Sequence, residues 1–541
     1  MMTKSIKHTL NAACRLCCGG AAALAALTAC ADWDDHYDAT AGTGSELTLW
    51  QTMKQQPQLS DFCQVLEQTK VFRQHRKTAT SYAQLLDGGQ SFTVLAPVNG
   101  TFNRDSLLQL VQTAVGDSAV EQNFVLNHLS RTNVSVVGQM QEMRLANTKL
   151  TSIGQSLVGG VGVATANQRT HNGTLHVLNG CLPYNQNIYE RLTTLPQFAA
   201  LGQFLRSYDE DDFDENASLS SGMVDGVPVY VDSVVIERNR FLEGIGLLAD
   251  EDSSYVAVVP SAEGWQSAYE EALAHFVYDE TVSRRDSLQL YWTHRGLMDD
   301  AVFSLTTQTS PTDSLVSAHY DRLRPEYHVF YKPYSEGILS RATTVYECSN
   351  GKLYQTAQWP FTPEQTYFRV LKAEGEDVPL ILDYNYCSYS KRTFSADSVS
   401  QSGYLDIVPA TGTSNWNVTF KLENTLAGTY DICAVILPKS VYNTTAPDVR
   451  PCKFKAQVNY VDLQGNEKSY DCGNTAFQSD PLRVDTVVLA SAFTFPACNY
   501  GQVNTKVSLR LTCNILARET SRYAREMYLD CIYLRPSKKE E

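Results

Sequence analysis

Residues 92–103 read FTVLAPVNGTFN, and residues 171–183 read HNGTLHVLNGCLP. In the first stretch an apolar strand runs into Pro97, whose nitrogen cannot donate to a sheet ladder, so the strand must stop there. Asn99 is then placed to bond nearby backbone, and Phe102 to fold back into the core. In the second stretch Asn172-Gly173 is a turn pair that feeds another apolar strand. FVLNHLS (124–130) lies between the two. Upstream, Leu47, Trp50 and Met53, then Leu59, Phe62, Val65 and Leu66, recur at helical spacing. Asp105 and Ser106 are expected to cap a helix over LLQLVQTAV. Helices around buried strands predict an α+β domain over residues 46–187.

The order of these segments is an apolar strand with Pro-x-Asn-x-x-Phe, then Leu-Asn-His, then Asn-Gly-x-x-His-Val-x-x-Gly. It resembles a fasciclin-like domain, and both signature boxes and the histidine motif between them take part. The resemblance implies a surface module of the adhesion type. Residues 188–376 repeat the order loosely. SSYVAVVPSAEGW (253–265) stands where the first box falls, with Glu263 near the place of Asn99 and Trp265 in the aromatic role. CSNGKLYQT (348–356) stands for the second, with Tyr354 replacing the histidine. This reads as a diverged second fasciclin-like domain.

From residue 377 the pattern changes. Val418, Phe420 and Leu422 alternate with polar neighbours, Gln464-Gly465-Asn466 marks a hairpin, and KVSLRLTCNIL and EMYLDCIYLRP read as strands, with Cys513 buried on one of them. Many short strands with turn punctuation predict an all-β sandwich over 377–541. Its closing YLDCIYLRP resembles the last strand of galactose-binding-like jelly rolls.

The first 29 residues hold Lys4, Lys7 and Arg15, no acid, and a short apolar run ending in Leu27-Thr28-Ala29-Cys30. This resembles a bacterial lipoprotein signal, which implies cleavage before Cys30, lipid on that cysteine and an anchor in the membrane without a spanning helix. The acidic, Gly- and Thr-bearing stretch over 30–45 reads as a tether, and acids directly after the lipidated cysteine resemble the surface-export signal of Bacteroidota lipoproteins. The expected address is therefore the outer membrane, facing outward. Without the leader the chain holds 41 bases against 59 acids, a formal −18. Such a surface repels phosphate backbones, and no Lys/Arg cluster stands out as large enough to reverse this locally, so no nucleic-acid partner is expected. Eight of the cysteines fall after residue 347, where an oxidising compartment permits disulfides of undetermined pairing.

Catalytic signatures are missing: no G-x-S-x-G, H-E-x-x-H or phosphate-binding glycine loop occurs. His128, His171, His176 and His294 read as core or turn residues. The run DEDDFDENASLSSG (209–222) fails as a calcium loop begun at Asp212, because Ala217 and Met223 stand where glycine and glutamate are needed; it is expected to be a solvated acidic loop. No cofactor or metal is expected. Asp-Ser/Thr-apolar triplets at Ser106, Ser118, Ser233, Ser287, Ser314, Ser398 and Thr486 resemble the O-glycosylation sequon of Bacteroidota envelope proteins, and Asp-Ser is also an ordinary helix cap, adequate for Ser106 and Ser287. The composite expectation is a non-enzymatic envelope lipoprotein for adhesion or for capture of a protein or glycan ligand. Trp416 is placed either to stack on a sugar or to fill the core. The alternatives are an accessory subunit of a TonB-dependent outer-membrane transporter and a glycan hydrolase in the sandwich.

Overall fold

Asn172 and Gly173 organise the first sheet. Gly173 has φ +150°, and a Cβ there would lie 1.9 Å from the carbonyl oxygen of Phe92, so no other residue fits. The Asn172 side chain accepts from the Leu49 amide at 2.7 Å and donates to the carbonyls of Leu86 and Gly88 at 2.9 and 2.7 Å. One side chain thus ties the turn to the start of the helix Leu49–Lys54 and to the end of the helix Tyr82–Asp87. The computed structural model that shows this describes residues 46–73, 76–224, 227–306, 312–322, 326–441, 445, 448–502 and 505–537. The leader, Cys30 and the tether lie outside the described residues.

From that turn the strand Gly173–Leu178 runs parallel to Phe92–Pro97, with Phe92 opposite Gly173 and Pro97 opposite Leu178. All six residues of Phe92–Pro97 are buried, as a continuous apolar run paired in parallel requires. Five more strands complete a seven-stranded sheet. Leu49, Met53, Phe62, Val94 and Leu175 meet in the core between sheet and helices. Asn99 bonds backbone 40 residues away rather than locally: it accepts from the Asp61 amide and donates to the Pro57 carbonyl, both at 2.9 Å, and so fixes the start of the helix Ser60–Gln68. Asp105 and Ser106 are not the expected cap. The helix Arg104–Leu110 is capped by Asn103, which accepts from the Ser106 amide.

The chain divides into two compact units, residues 1–185 and 186–541. The second unit opens with the same device. Gly351 has φ +138° and sits 1.9 Å, by its absent Cβ, from the Tyr255 carbonyl oxygen. Asn350 accepts from the Ile188 amide at 3.0 Å and donates to the carbonyls of Leu248 and Asp250. The strand Gly351–Thr356 runs parallel to Tyr255–Pro260, Tyr255 opposite Gly351 and Pro260 opposite Thr356. Trp265 is buried on the helix Ala262–His275. The acidic run 209–222 is a strand and not a loop: Asp209–Val224 pairs antiparallel with Val227–Asn239 in a two-stranded sheet of its own. A ladder partner rich in valine decides its conformation, whatever its own polarity suggests.

The remaining strands form two facing sheets. One runs Ile381–Asn385, Asn417–Lys421, Ser508–Cys513, Lys453–Val461 and Glu467–Gln478 in spatial order; the other holds Cys387–Thr393, Gly403–Pro409, Met527–Pro536, Gly428–Leu437 and Asp485–Phe495, with Leu371–Glu374 added to Met527–Pro536. The sandwich thus begins at Leu371, ahead of the expected residue 377. Its core also takes in Phe276 and Tyr278 from the segment after the helix Ala262–His275. Tyr278 donates to the Tyr500 carbonyl, and the Cys498 amide to that of Val277. The architecture is two α+β domains and an all-β sandwich; the second domain and the sandwich have their own cores, and the segment holding Phe276 and Tyr278 packs into that of the sandwich.

Candidate functional site

The strand Ile381–Asn385 is an outer strand of one sheet and Cys387–Thr393 of the other. Tyr386 alone joins them, in the left-handed region at φ 58°. A bulky side chain there is strained, and such strain is retained where surrounding structure or function holds it. The Ala410 amide donates to the Tyr386 carbonyl at 2.8 Å and fixes the crossing. Tyr386 is 70% exposed and Tyr384 48%, and Tyr384 meets Tyr389 edge-to-face at 4.9 Å. Beside them Asn385 donates to Asp383 at 3.0 Å. Exposed tyrosine rings next to a carboxylate and an amide can stack on a sugar face and bond its hydroxyls. Trp416, the residue singled out for stacking, is fully buried in the sandwich core, where its indole N–H donates to the Arg525 carbonyl. Its fate follows from its place beside an inward-facing strand. The tyrosines were legible only as the alternation LDYNYCSYS, which does not show that the two outer strands meet there.

A second feature lies on the same domain. Glu374, Asp530 and Cys531 bring ligand atoms within 4.8 Å of one another. Glu376 and Glu374 each keep one buried carboxylate oxygen without a hydrogen-bond partner. Gly403 makes room, since a Cβ there would lie 2.4 Å from Glu376 Oε1. Burial pushes the Asp530 carboxyl up to about 7, against the Ser400 amide that bonds it, with Glu374 and Glu376 adding to the rise. Converging buried carboxylates with orphaned oxygens suit a hard divalent cation such as calcium, Cys531 contributing little because its thiol is pushed up by burial. Neither the pairing nor the site was read from the sequence, because Glu374 and Asp530 meet only when the first and last strands of the sandwich pair.

Charged groups also converge where the helix Arg285–Met298 meets the strands Ser314–Asp321 and Glu326–Tyr331. His328 donates to Asp300 at 2.6 Å and to Asp321 at 3.3 Å. Burial alone would lower its pKa, but these two carboxylates outweigh it and lift it to about 9. Arg295 pairs with Asp299 at 2.7 Å, and Arg369 with Glu326 at 3.1 Å. Burial raises Asp299 to about 6 although Arg295 and His319 oppose it. Each of these carboxylates faces a cation, so the cluster is a lock between elements.

The histidines sit in structural roles. His128 bonds the Phe124 carbonyl at 2.7 Å and accepts from the Leu182 amide at 3.0 Å; burial lowers its pKa to about 4. His176 bridges the Val134 carbonyl and the Asn167 amide, and His294 stacks on Phe204 at 3.5 Å. His171 is exposed at its turn. Among the sequon residues Ser106, Ser287, Ser398 and Thr486 are exposed, Ser118 and Ser314 half-buried, and Ser233 falls in the strand Val227–Asn239. Ser287 lies inside its helix, whose start at Arg284 has no side-chain cap. Cys513 is buried on its strand, and ten cysteines are free thiols among the described residues.

A family model described as the fasciclin domain matches residues 57–183. No curated protein sequence matches. Among solved structures, a domain pair from the insect cell adhesion molecule fasciclin I is 12% identical, covers 51% of this chain and 90% of its own, and has a TM-score of 0.18. A family 35 carbohydrate-binding module from Clostridium thermocellum is 8% identical over 31% of this chain and 98% of its own, with a TM-score of 0.19. A xylan-binding domain of module family 22 is 10% identical over 30% and 92%, also at 0.19. Likenesses of this strength add nothing to an architecture already visible in the strand pairings. By its matched region the chain carries a fasciclin-type domain over residues 57–183.

Proposed function

We propose that this protein is a non-enzymatic envelope lipoprotein that captures glycan through the tyrosine crossing of its sandwich. The observation that carries the reading is the strained, 70% exposed Tyr386 beside exposed Tyr384. Two rings at the open edge of a rigid sandwich present area at little entropic cost. The fasciclin-type domain supports an adhesion setting, and the locked carboxylates support binding without turnover. Among the described residues no helix is long and apolar enough to cross a membrane; the proposed anchor is a lipid on Cys30.

The test is a neutral-glycan array with the whole chain, beside a Tyr384→Ala/Tyr386→Ala variant. We expect at least one neutral glycan to bind and the variant to lose roughly tenfold in affinity, about 1.4 kcal/mol. Equal binding by the variant would remove the crossing from the reading, and hydrolysis of any bound glycan would end the non-enzyme claim. Mass spectrometry of the mature N-terminus checks the anchor: an unmodified Ala31 start rejects it.

A further inference from the structure

In a chain of formal charge −15 the first unit carries a cationic ribbon. The strand Lys70–Arg73 pairs antiparallel with Arg76–Ser81, and Arg73 stands directly opposite Arg76. Like charges opposed across two strands destabilise the pair. Both arginines are exposed, and neither they nor Lys70 has a carboxylate partner among the described residues. Arg131, also exposed, lies near enough to act on the Tyr82 hydroxyl at the ribbon's base.

The ribbon is mounted on two buried carboxylates one helical turn apart. The Lys70 amide donates to Asp117 at 3.2 Å, and the Phe72 amide to Glu121 at 2.8 Å. Tyr82 donates its hydroxyl to the same Glu121 oxygen at 2.7 Å, and the Lys77 ammonium pairs with Asp117 at 2.6 Å. Asp117 and Glu121 are 0% and 2% exposed. Burying two carboxylates is costly, and their charge is spent on holding backbone and on Lys77, not on neutralising the arginines. The fold therefore fixes an unneutralised cationic edge in place.

We infer that Lys70, Arg73, Arg76 and Arg131 form a docking surface for an acidic polysaccharide, a hydrated chain bearing carboxylate or sulfate groups. Charge complementarity points to an anion with repeated charges, since the cations are spread over two strands and a loop. The ribbon has no large exposed apolar side chain: Val71 and Phe72 are half-buried. A lipid surface would find nothing to insert, and a protein partner no aromatic or aliphatic anchor. A solvated polyanion needs neither. This site stands apart from the tyrosine crossing and does not rest on it.

The experiment measures binding of the full chain to dextran sulfate and to polygalacturonate, with neutral dextran as blank, at about 50 and about 300 mM NaCl. We expect both polyanions to bind, neutral dextran not to bind, and affinity to fall by roughly tenfold or more at the higher salt. Arg73→Ser/Arg76→Ser loses roughly tenfold at low salt, with a melting temperature equal to or above the parent because the opposed charges are gone. Arg73→Lys/Arg76→Lys keeps binding within about threefold; if it loses as much as the serine pair, the effect is structural and the inference fails. It fails too if the serine pair binds as the parent does, or if phosphatidylglycerol vesicles bind and the polysaccharides do not. Tyr384→Ala/Tyr386→Ala leaves polyanion binding unchanged, so the two readings fail separately.

Discussion

The two α+β domains solve one problem with the same pair of residues and then diverge. In each, an Asn-Gly turn starts the second of two parallel strands, and the asparagine receives the first amide of the opening helix. In each, the opposite carbonyl closes on a glycine to a distance no side chain allows. Yet only residues 57–183 match the family model. The difference lies in what surrounds the turn. In the first domain His176 bridges Val134 and Asn167, and His128 bridges Phe124 and Leu182, so two neutral imidazoles fasten loops to the sheet. In the second, Tyr354 occupies the register position of His176, half-buried and 6.0 Å from Tyr334. Elsewhere in the second unit, the segment after the helix Ala262–His275 is fastened to the sandwich through Phe276, Tyr278 and the bond from His275 to the Ala427 carbonyl.

The harshest way to break this comparison is at the shared turn. Gly173→Ala and Gly351→Ala each place a Cβ against a carbonyl and force a left-handed φ, and each should cost about 4 kcal/mol or more. In calorimetry of the full chain, Gly173→Ala should abolish the transition of the first unit and spare that of the second. Gly351→Ala should instead weaken the second domain and the sandwich together. A sandwich melting at its parental temperature in Gly351→Ala would show that the Phe276 and Tyr278 contacts do not couple them.

What could be read beforehand follows from the range of each interaction. Pro97, the Asn172-Gly173 pair and the alternation of Val418 and Phe420 act within a few residues, so the elements were legible. The capping role given to Asp105 and Ser106 belongs to Asn103, two residues earlier, because cap chemistry is shared by neighbours in such a run. The run 209–222 became a strand through a partner strand that its own polarity does not announce. Glu374 and Asp530, Tyr384 and Tyr389, and the mount of Asp117 and Glu121 under the ribbon depend on strand order, which local pattern does not encode. The cations of the ribbon do gather in one run, KVFRQHRK over 70–77, but that run shows neither the opposition of Arg73 to Arg76 nor which of the cations a carboxylate neutralises.

The aromatic that follows each first strand gives a smaller test. Phe102 is half-buried, 4.9 Å from Phe124, whereas Trp265 is 5% exposed and packs beside His294 and Trp359. Phe102→Ala should therefore cost about 2 kcal/mol and Trp265→Ala about 4, read from denaturant midpoints. Phe102 does fold back against the core, but only half-buried. Equal costs would mean the two aromatics do the same work despite their different surroundings.

The smallest expected effect separates the units by pH. The folded pKa of His328, about 9, lies above the ordinary histidine value, so the folded second unit holds a proton that the unfolded chain releases near pH 6.5. Its contribution is complete below pH 6.5 and is lost as pH rises toward 9. His128 in the first unit behaves oppositely. Its folded pKa of about 4 is depressed, so its contribution is complete above pH 6.5 and is lost as pH falls toward 4. Between pH 6.5 and 8.5 histidine linkage should thus lower only the second transition, by up to about 2 kcal/mol. Scanning calorimetry of the full chain across that window checks it. His328→Gln should flatten the slope of the second transition and lower its starting stability, since Asp300 and Asp321 would then face an uncharged amide. If both transitions move together, the slope comes from general charge repulsion in an acidic chain, and His328 is not the group that distinguishes the units.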